Sequence, residues 1–430
     1  MFGIFKNKKN TSVDSEFIFG VADVFRLKDS DDCVVIGNVY GTVNVNCNVN
    51  IVNFGDDDAE TFKSDIIGLE INKEKVSEAS DCLVALRIKE GVSYKIKIGT
   101  IIYSGTFGID SMFRIYSDAL KMKMNITGFK YDKLDYFSIS DCAEIWRLEQ
   151  KAISEKSDEK SISDFQDKIN ALGLAIKEKL LESDEIYCLY NRATGEPHIF
   201  SEMILDENYF EPEPPAIMVF TKTFLSLAQR KYTTENFEIV KIENGNDKKG
   251  IEKFLGEMFW VYGAVCVNVV YEEVKVSASL LIKEEKYKKE YPLSVPVCNP
   301  ELLRWVTLFN QVKNIETPDG IKVTNIYYSL ISKELSNAVF LTPATYDKSE
   351  ENEEVPELMV QEVSDNRYVV PLFTDINHLR RLFGDDCGVY VNKIDFFASN
   401  YDCSINPSDE DAEGCYITKE SYMKMKEGFA

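Results

Sequence analysis

A chain of 430 residues is too long for one hydrophobic core, so two to four domains of roughly 100–150 residues each are expected. Its apolar content of 44% lets each of them fold, while 72 acidic against 49 basic residues give a net charge of −23, a field that repels nucleic-acid phosphates and anionic lipid. With only two histidines, His198 and His378, a multi-histidine metal site or a histidine-based triad has almost no material.

Residues 1–12 read as a flexible N-terminus: "MFGIFKNKKN" lacks an apolar stretch and carries the one Lys/Arg run of the sequence. The longest apolar run, "FWVYGAVCVNVV" at 259–270, is too short to span a bilayer and contains Asn268. Ten cysteines stand singly, among them Cys33, Cys47, Cys188 and Cys266, with no C-x-x-C pair for zinc or redox chemistry. The expectation is a cytoplasmic protein with buried free thiols, no membrane contact, no metal and no cofactor.

Residues 13–105 alternate Val and Ile with small or polar residues between Gly, Asn and Asp turns, the pattern of an all-β barrel. Gly37 and Gly41 sit where a barrel strand must bend or turn. The phrases "FGVADVFRL" (19–27), "VVIGNVYGTVNVNCNVNIV" (34–52), "IIGLEINKEKVSEASDCLVALRI" (66–88) and "IKIGTII" (96–102) resemble, in order and spacing, the second domain of elongation factor Tu and its relatives. That resemblance implies a translation-protein β-barrel. Where the family places glycines, this chain has Cys47 and a residue near Asp81, both at turns. Residues 106–134 alternate again, as in "ALKMKMNITGF", and read as connecting strands.

Beyond residue 134 the pattern is mixed and repeats. "SDCAEIWRLEQKAI" has Ser140 as a candidate cap six residues before Trp146, and "NPELLRWVTLFNQV" has Asn299 and Pro300 as cap and first helical residue, with Trp305 six residues after Asn299. Each leads into an amphipathic helix, the first opened by a Ser163-x-x-Gln166 capping box and facing inward through Ile162, Phe165, Ile169, Leu172, Ile176 and Leu180. A short strand follows, then a strand ending in Phe220-Thr221 or Phe373-Thr374; Ile186 to Phe220 and Val339 to Phe373 are both 34 residues. "VCVN" (265–268) and "VYVN" (389–392) complete the parallel, at 48 and 19 residues after the phenylalanines. Two duplicated α+β domains are therefore expected, at 135–295 and 296–430. This order of helix, strand, "FT", helix and Asn-terminated strand resembles the SseB family of bacterial proteins, although Val269 and Lys393 stand where that family has proline. The resemblance implies a mixed sheet with helices and names no reaction.

"VNKID" (391–395) contains the guanine-reading tetrapeptide of GTPases, but no G-x-x-x-x-G-K-[ST] phosphate loop accompanies it, so it reads as a chance match. His198 reads as a turn residue, His378 as a surface or rim residue, Trp146 and Trp305 as core anchors, and Thr221 and Thr374 as helix caps. The acidic stretches 56–58, 349–357 and 408–414 read as solvated loops, with the segment 347–358 mobile. No catalytic set emerges. The expected function is a non-enzymatic adaptor that offers its acidic surface to a basic protein partner, without DNA. One alternative is a translation-associated factor using the barrel against transfer RNA or the ribosome; residues 13–103, with 16 acidic and 9 basic residues, make RNA a poor partner. Another is a small-ligand sensor or enzyme with a pocket between the duplicated domains. Strand ends are the places to look for a partner or ligand surface: Thr221 and Asn268 in one copy, Thr374 and Asn392 in the other.

Overall fold

The computed structural model describes residues 16–428 apart from 57–58, 126–128, 155–158, 193, 202, 207–208, 270–273, 285–296, 314–317, 349–353, 365–366 and 409–412. The basic N-terminal run and the centres of the acidic stretches lie outside the described residues. The chain divides into two compact units, Met1–Ile176 and Lys177–Ala430.

The first unit holds eight strands: β1 (Phe17–Arg26), β2 (Cys33–Asn44), β3 (Asn48–Val52), β4 (Thr61–Ile71), β5 (Glu74–Val76), β6 (Glu78–Ser80), β7 (Leu83–Ile88) and β8 (Ile101–Ser104). Six of them run in the order β1, β8, β3, β4, β7, β2, and β2 pairs back with β1, so the antiparallel sheet closes on itself. Closure leaves no edge on this ring to pair with another chain. Inward side chains follow the period of two read from the sequence; along β2, Cys33, Val35, Val39 and Val43 are buried, and Phe17, Phe19, Ile51 and Leu86 meet them inside. Burying each such side chain contributes about 1.5–3 kcal/mol. Gly37 is required by a close approach: a Cβ there would lie 1.9 Å from the carbonyl oxygen of Gly20 on β1. Asn46 and Asp81 take left-handed φ values of 66° and 45°, and Asp81 also accepts the Gly41 N–H at 2.9 Å.

The segment expected to form connecting strands instead carries a helix, α1 (Ile109–Asn125), which packs on β1. Its buried residues Ile115, Tyr116, Ala119 and Leu120 are a helical i, i+4 stripe, and the alternation of Leu120, Met122 and Met124 around lysines is local coincidence. α2 (Ile139–Ile153) is capped two residues earlier than expected: Ser138 closes a capping box with Asp141, and Ser140 lies buried inside the helix. The Asp141 carboxylate is fully buried and accepts from Tyr116 at 2.7 Å and Lys97 at 2.8 Å. Trp146 is buried, as a core anchor should be. In α3 (Glu159–Glu182) Ile169, Leu172, Ile176 and Leu180 are buried, whereas Ser163 lies inside the helix and caps nothing, and Ile162 is exposed.

The second unit consists of two halves. The first contains β9 (Glu185–Asn191), β10 (Glu196–Pro197), β11 (Ile199–Phe200), β12 (Met203–Asp206), β13 (Tyr209–Pro212), β14 (Ala216–Phe220), α4 (Lys222–Tyr232), β15 (Phe237–Glu243), α5 (Gly250–Trp260), β16 (Cys266–Val269), β17 (Lys275–Ser277) and α6 (Ala278–Leu281). The second contains α7 (Pro300–Val312), α8 (Pro318–Leu335), β18 (Val339–Lys348), β19 (Glu354–Leu358), β20 (Gln361–Ser364), β21 (Arg367–Leu372), α9 (Ile376–Phe383), β22 (Val389–Lys393), α10 (Ile394–Ala398), β23 (Cys403–Ile405), β24 (Cys415–Ile417) and α11 (Lys419–Gly428). β19 pairs with the end of β18, so both flanks of the acidic stretch expected to be a mobile loop are strand.

Each half lays its strands in one order. In the first it is β15, β9, β14, β16, β17, with β16 parallel to β14; in the second it is β22, β18, β21, β23, β24, with β23 parallel to β21 and a single bridge, Leu341 to Phe373, joining β18 to β21. The registers correct the expected equivalence of "VCVN" and "VYVN". Asn268 pairs with Met218, two residues before Phe220, and the residue in that register of the second half is Ser404, which pairs with Pro371, two residues before Phe373. "VYVN" forms β22, which pairs with β18 as β15 pairs with β9. The unequal intervals of 48 and 19 residues compared strands with different places in the sheet.

Candidate functional site

The convergence of polar side chains in the second unit is built on the N-terminus of α9. Asp375, not Thr374, is its cap: Oδ1 of Asp375 accepts the backbone N–H groups of Asn377 at 2.9 Å and His378 at 3.2 Å. The other oxygen, Oδ2, accepts the Thr374 hydroxyl at 3.0 Å and lies 2.6 Å from His378 Nδ1. His378 is 6% exposed, which corrects its expected place at the surface.

The opposite ring nitrogen reaches the other half of the unit. The β9–β10 hairpin pairs Glu196 with Asn191, and Oε1 of Glu196 lies 2.7 Å from His378 Nε2. One helical turn after His378, Arg381 donates from Nη1 to the same Glu196 oxygen at 3.3 Å and from Nη2 to the Tyr262 hydroxyl at 2.8 Å. Asn377 donates to Glu257 Oε1 at 3.0 Å. Beside Tyr262, Gly263 (φ 74°) brings its backbone so close to α7 that a Cβ would stand 1.9 Å from the Pro300 oxygen.

Both ring nitrogens of His378 face carboxylate oxygens, so both must carry protons. Burial alone would lower its pKa, but Asp375 and Glu196 outweigh burial and raise it to about 10. Burial opposes ionisation of Asp375 too, and there the facing His378 prevails and holds the carboxyl below its usual range. Burial raises the Glu257 carboxyl and holds the Tyr262 phenol well above its ordinary value. A fixed imidazolium at neutral pH has no lone pair with which to act as a general base. Charges buried in this way hold segments together, because removing one partner strands the other without water.

The network forms part of the wall of a cavity of about 220 Å3, lined by Glu196, His378 and Arg381 and by Thr194, Thr307 and Asn310. Its apolar side comes from Leu303 and Val306 of α7 and Leu382 of α9. Thr307 is 1% exposed, and its hydroxyl, the Thr194 hydroxyl and the Asn310 carbonyl oxygen are buried with no hydrogen-bond partner. Among the described residues Glu196 uses only Oε1 in its contacts. No group of His, Cys, Asp and Glu among the described residues could hold a metal ion.

The four residues singled out by sequence do not assemble. Thr374 belongs to the network, its hydroxyl joined to Asp375 and to Asn406. Thr221 caps α4 by position without a side-chain cap bond; its hydroxyl is buried and unpartnered. Asn268 is fully buried with neither amide atom partnered. Asn392 is half-buried on β22, donating to the Tyr390 hydroxyl at 3.0 Å. His198, expected in a turn, lies between β10 and β11 with its N–H on the Leu189 oxygen, and burial pushes its pKa down to about 4. Glu196, Asp375 and Arg381 carry no local motif that would have marked them.

No family model matches the chain, and no curated protein matches it. Solved structures similar to it include the translation elongation factor SelB of Methanococcus maripaludis: the apo form at 22% identity, covering 21% of this chain and 19% of that one with a TM-score of 0.18, and the complex with the GTP analogue GppNHp at 23% identity, covering 23% and 20% with a TM-score of 0.18. The chain spans about a fifth of the length of the elongation factor it matches. The antiparallel ring of six strands closes as a barrel, and the chain as a whole is a multidomain protein of one barrel and further mixed sheets with helices. Among the described residues no helix is long and apolar enough to cross a membrane.

Proposed function

We propose that this chain is a non-enzymatic adaptor protein of the bacterial cytoplasm, built from a translation-factor-like barrel and two copies of an SseB-like α+β domain, and that it binds a basic protein partner. The observation that carries the reading is the Asp375–His378–Glu196 bridge: the one buried imidazolium has both nitrogens occupied, so it ties the two halves together and is not itself a base for chemistry. The shared strand order of the two halves supports the duplication, and the net charge of −23 supports a basic partner. The test is affinity capture with the full chain at two salt concentrations, identifying both proteins and RNA. A basic protein retained at low salt and released at high salt is the expected result; retention of ribosomes or transfer RNA would replace this reading with the translation-associated one.

A second reading, a small-ligand sensor, is favoured by the cavity beside the bridge. Its polar lining comes from both halves of the unit, which is where ligand pockets gather. Thermal shifts of the full chain across a panel of small metabolites test it. No shift with any of them would remove it.

A further inference from the structure

Three polar groups in the wall of the cavity stand without partners. The hydroxyls of Thr194 and Thr307 and the carbonyl oxygen of Asn310 are buried and make no hydrogen bond, and Thr307, on α7, is only 1% exposed. Leaving a buried polar atom unpaired is costly, which is why folded proteins hold few of them. A threonine hydroxyl donates and accepts, whereas an amide oxygen accepts only. A hydroxyl on a ligand also does both, so one kind of group completes all three.

The fixed charges at the site cancel. Of the charged residues that line the cavity, His378 and Arg381 are positive and Glu196 is negative. Behind that wall the buried carboxylate of Asp375 stands 2.6 Å from His378, which leaves two charges of each sign. His378 lies between Asp375 and Glu196, and Arg381 donates to Glu196, so the four are occupied with one another. Glu257 does not line the cavity, and burial pushes its carboxyl towards the neutral form. An ammonium ligand would meet His378 and Arg381, and a carboxylate ligand would meet Glu196. An uncharged ligand sets no new charge against any of them.

Leu303, Val306 and Leu382 present hydrocarbon to the same space, a surface for the C–H groups of a ligand. At about 30 Å3 of liquid per water, a cavity of about 220 Å3 holds the equivalent of about seven waters. That is the size of a molecule of four or five carbons with a hydroxyl on most of them.

We propose that this cavity binds a small uncharged polyhydroxyl compound, a four- or five-carbon polyol or sugar, through Thr194, Thr307 and Asn310, with its carbon chain on Leu303 and Val306. The assignment rests on the ligand-sensor reading and names the class of ligand.

Titration calorimetry on the full chain is the test. Polyols raise protein melting temperatures generally, by exclusion from the surface, and a saturable heat is free of that effect. The ligands are erythritol and ribose. Butane-1,4-diol controls for the number of hydroxyls, threonate for a negative charge and ethanolamine for a positive one. Saturable heat with erythritol or ribose, and none with the three controls, is expected. Thr307→Val removes a hydroxyl that has no partner in the protein, so the variant should fold at least as well as the parent and bind about tenfold more weakly, for want of one hydrogen bond. Asn310→Leu, similar in size, should weaken binding by a similar factor. Equal affinity for erythritol and butane-1,4-diol, or unchanged binding in either variant, would overturn the assignment. Binding of threonate or ethanolamine in place of the polyols would overturn the uncharged class while the ligand reading stands. The same follows if these compounds are silent and another member of the metabolite panel shifts the melting temperature; silence throughout would remove both readings.

Discussion

Nε2 of His378 lies 2.7 Å from Oε1 of Glu196, a residue 182 positions earlier in the chain. The contact joins a hairpin of one half of the second unit to the first turn of a helix in the other, and both side chains are almost wholly withdrawn from water. Glu196→Gln keeps the shape and removes the charge that His378 and Arg381 face. It should cost about 3 kcal/mol, as breaking one side of a buried pair does. Urea unfolding of parent and variant checks this, and a loss under about 1 kcal/mol would mean the bridge is merely tolerated.

The same imidazolium gives the protein a pH signature. The folded pKa of His378 is about 10 against 6.5 for the free side chain, so its contribution is complete below pH 6.5 and is lost as pH rises through about 10. Melting temperature should therefore fall between pH 6.5 and 10, and His378→Gln should flatten that slope. On the acid side Asp375, held below 3.8, contributes above that value, and its share disappears as pH drops through the lower folded one. A melting series across pH on both proteins reads the two effects, and parallel curves would rule out His378 as the titrating group.

In the barrel, Gly37→Ala would drive a methyl group to 1.9 Å from the Gly20 oxygen. The strands must separate, at about 3 kcal/mol or more. Gly68→Ala, whose new carbon would meet the Arg87 Cβ at an ordinary 3.4 Å, is the control and should change stability by under about 1 kcal/mol. Comparable losses from both would show that the penalty is generic strand chemistry and not the close approach.

Asn299 occupies the cap position of α7 without capping it. Its amide donates to the Val339 oxygen at 2.7 Å and the Thr374 oxygen at 2.9 Å, and accepts the Val339 N–H at 3.1 Å. Asn299→Ala should cost about 2–4 kcal/mol through three lost backbone bonds. Asn299→Ser supplies a good cap and cannot span the same groups, so it should be nearly as harmful. Full stability in the serine variant would return Asn299 to the role of an ordinary cap.

The barrel was legible because its inward residues follow a period of two over whole strands, as Cys33, Val35, Val39 and Val43 show. The helix at Ile109–Asn125 was hidden because Leu120, Met122 and Met124 alternate with polar residues over the same stretch in which Ile115, Tyr116, Ala119 and Leu120 make a helical stripe. A three-letter resemblance, "VCVN" to "VYVN", outweighed sheet position and mispaired Asn268 with Asn392, where register puts Ser404 in the place of Asn268. The site escaped for a different reason. Asp375 and His378 are three residues apart and look like any helix start, and what turns them into a buried network is Glu196, which no local pattern connects to them.

The Glu196–His378 contact also has a consequence for inheritance. Neither residue can drift alone without stranding a charge away from water, so the two positions are bound to change together, and a gene recombined between the two halves with a relative lacking the same pair would encode a product that fails at this seam first.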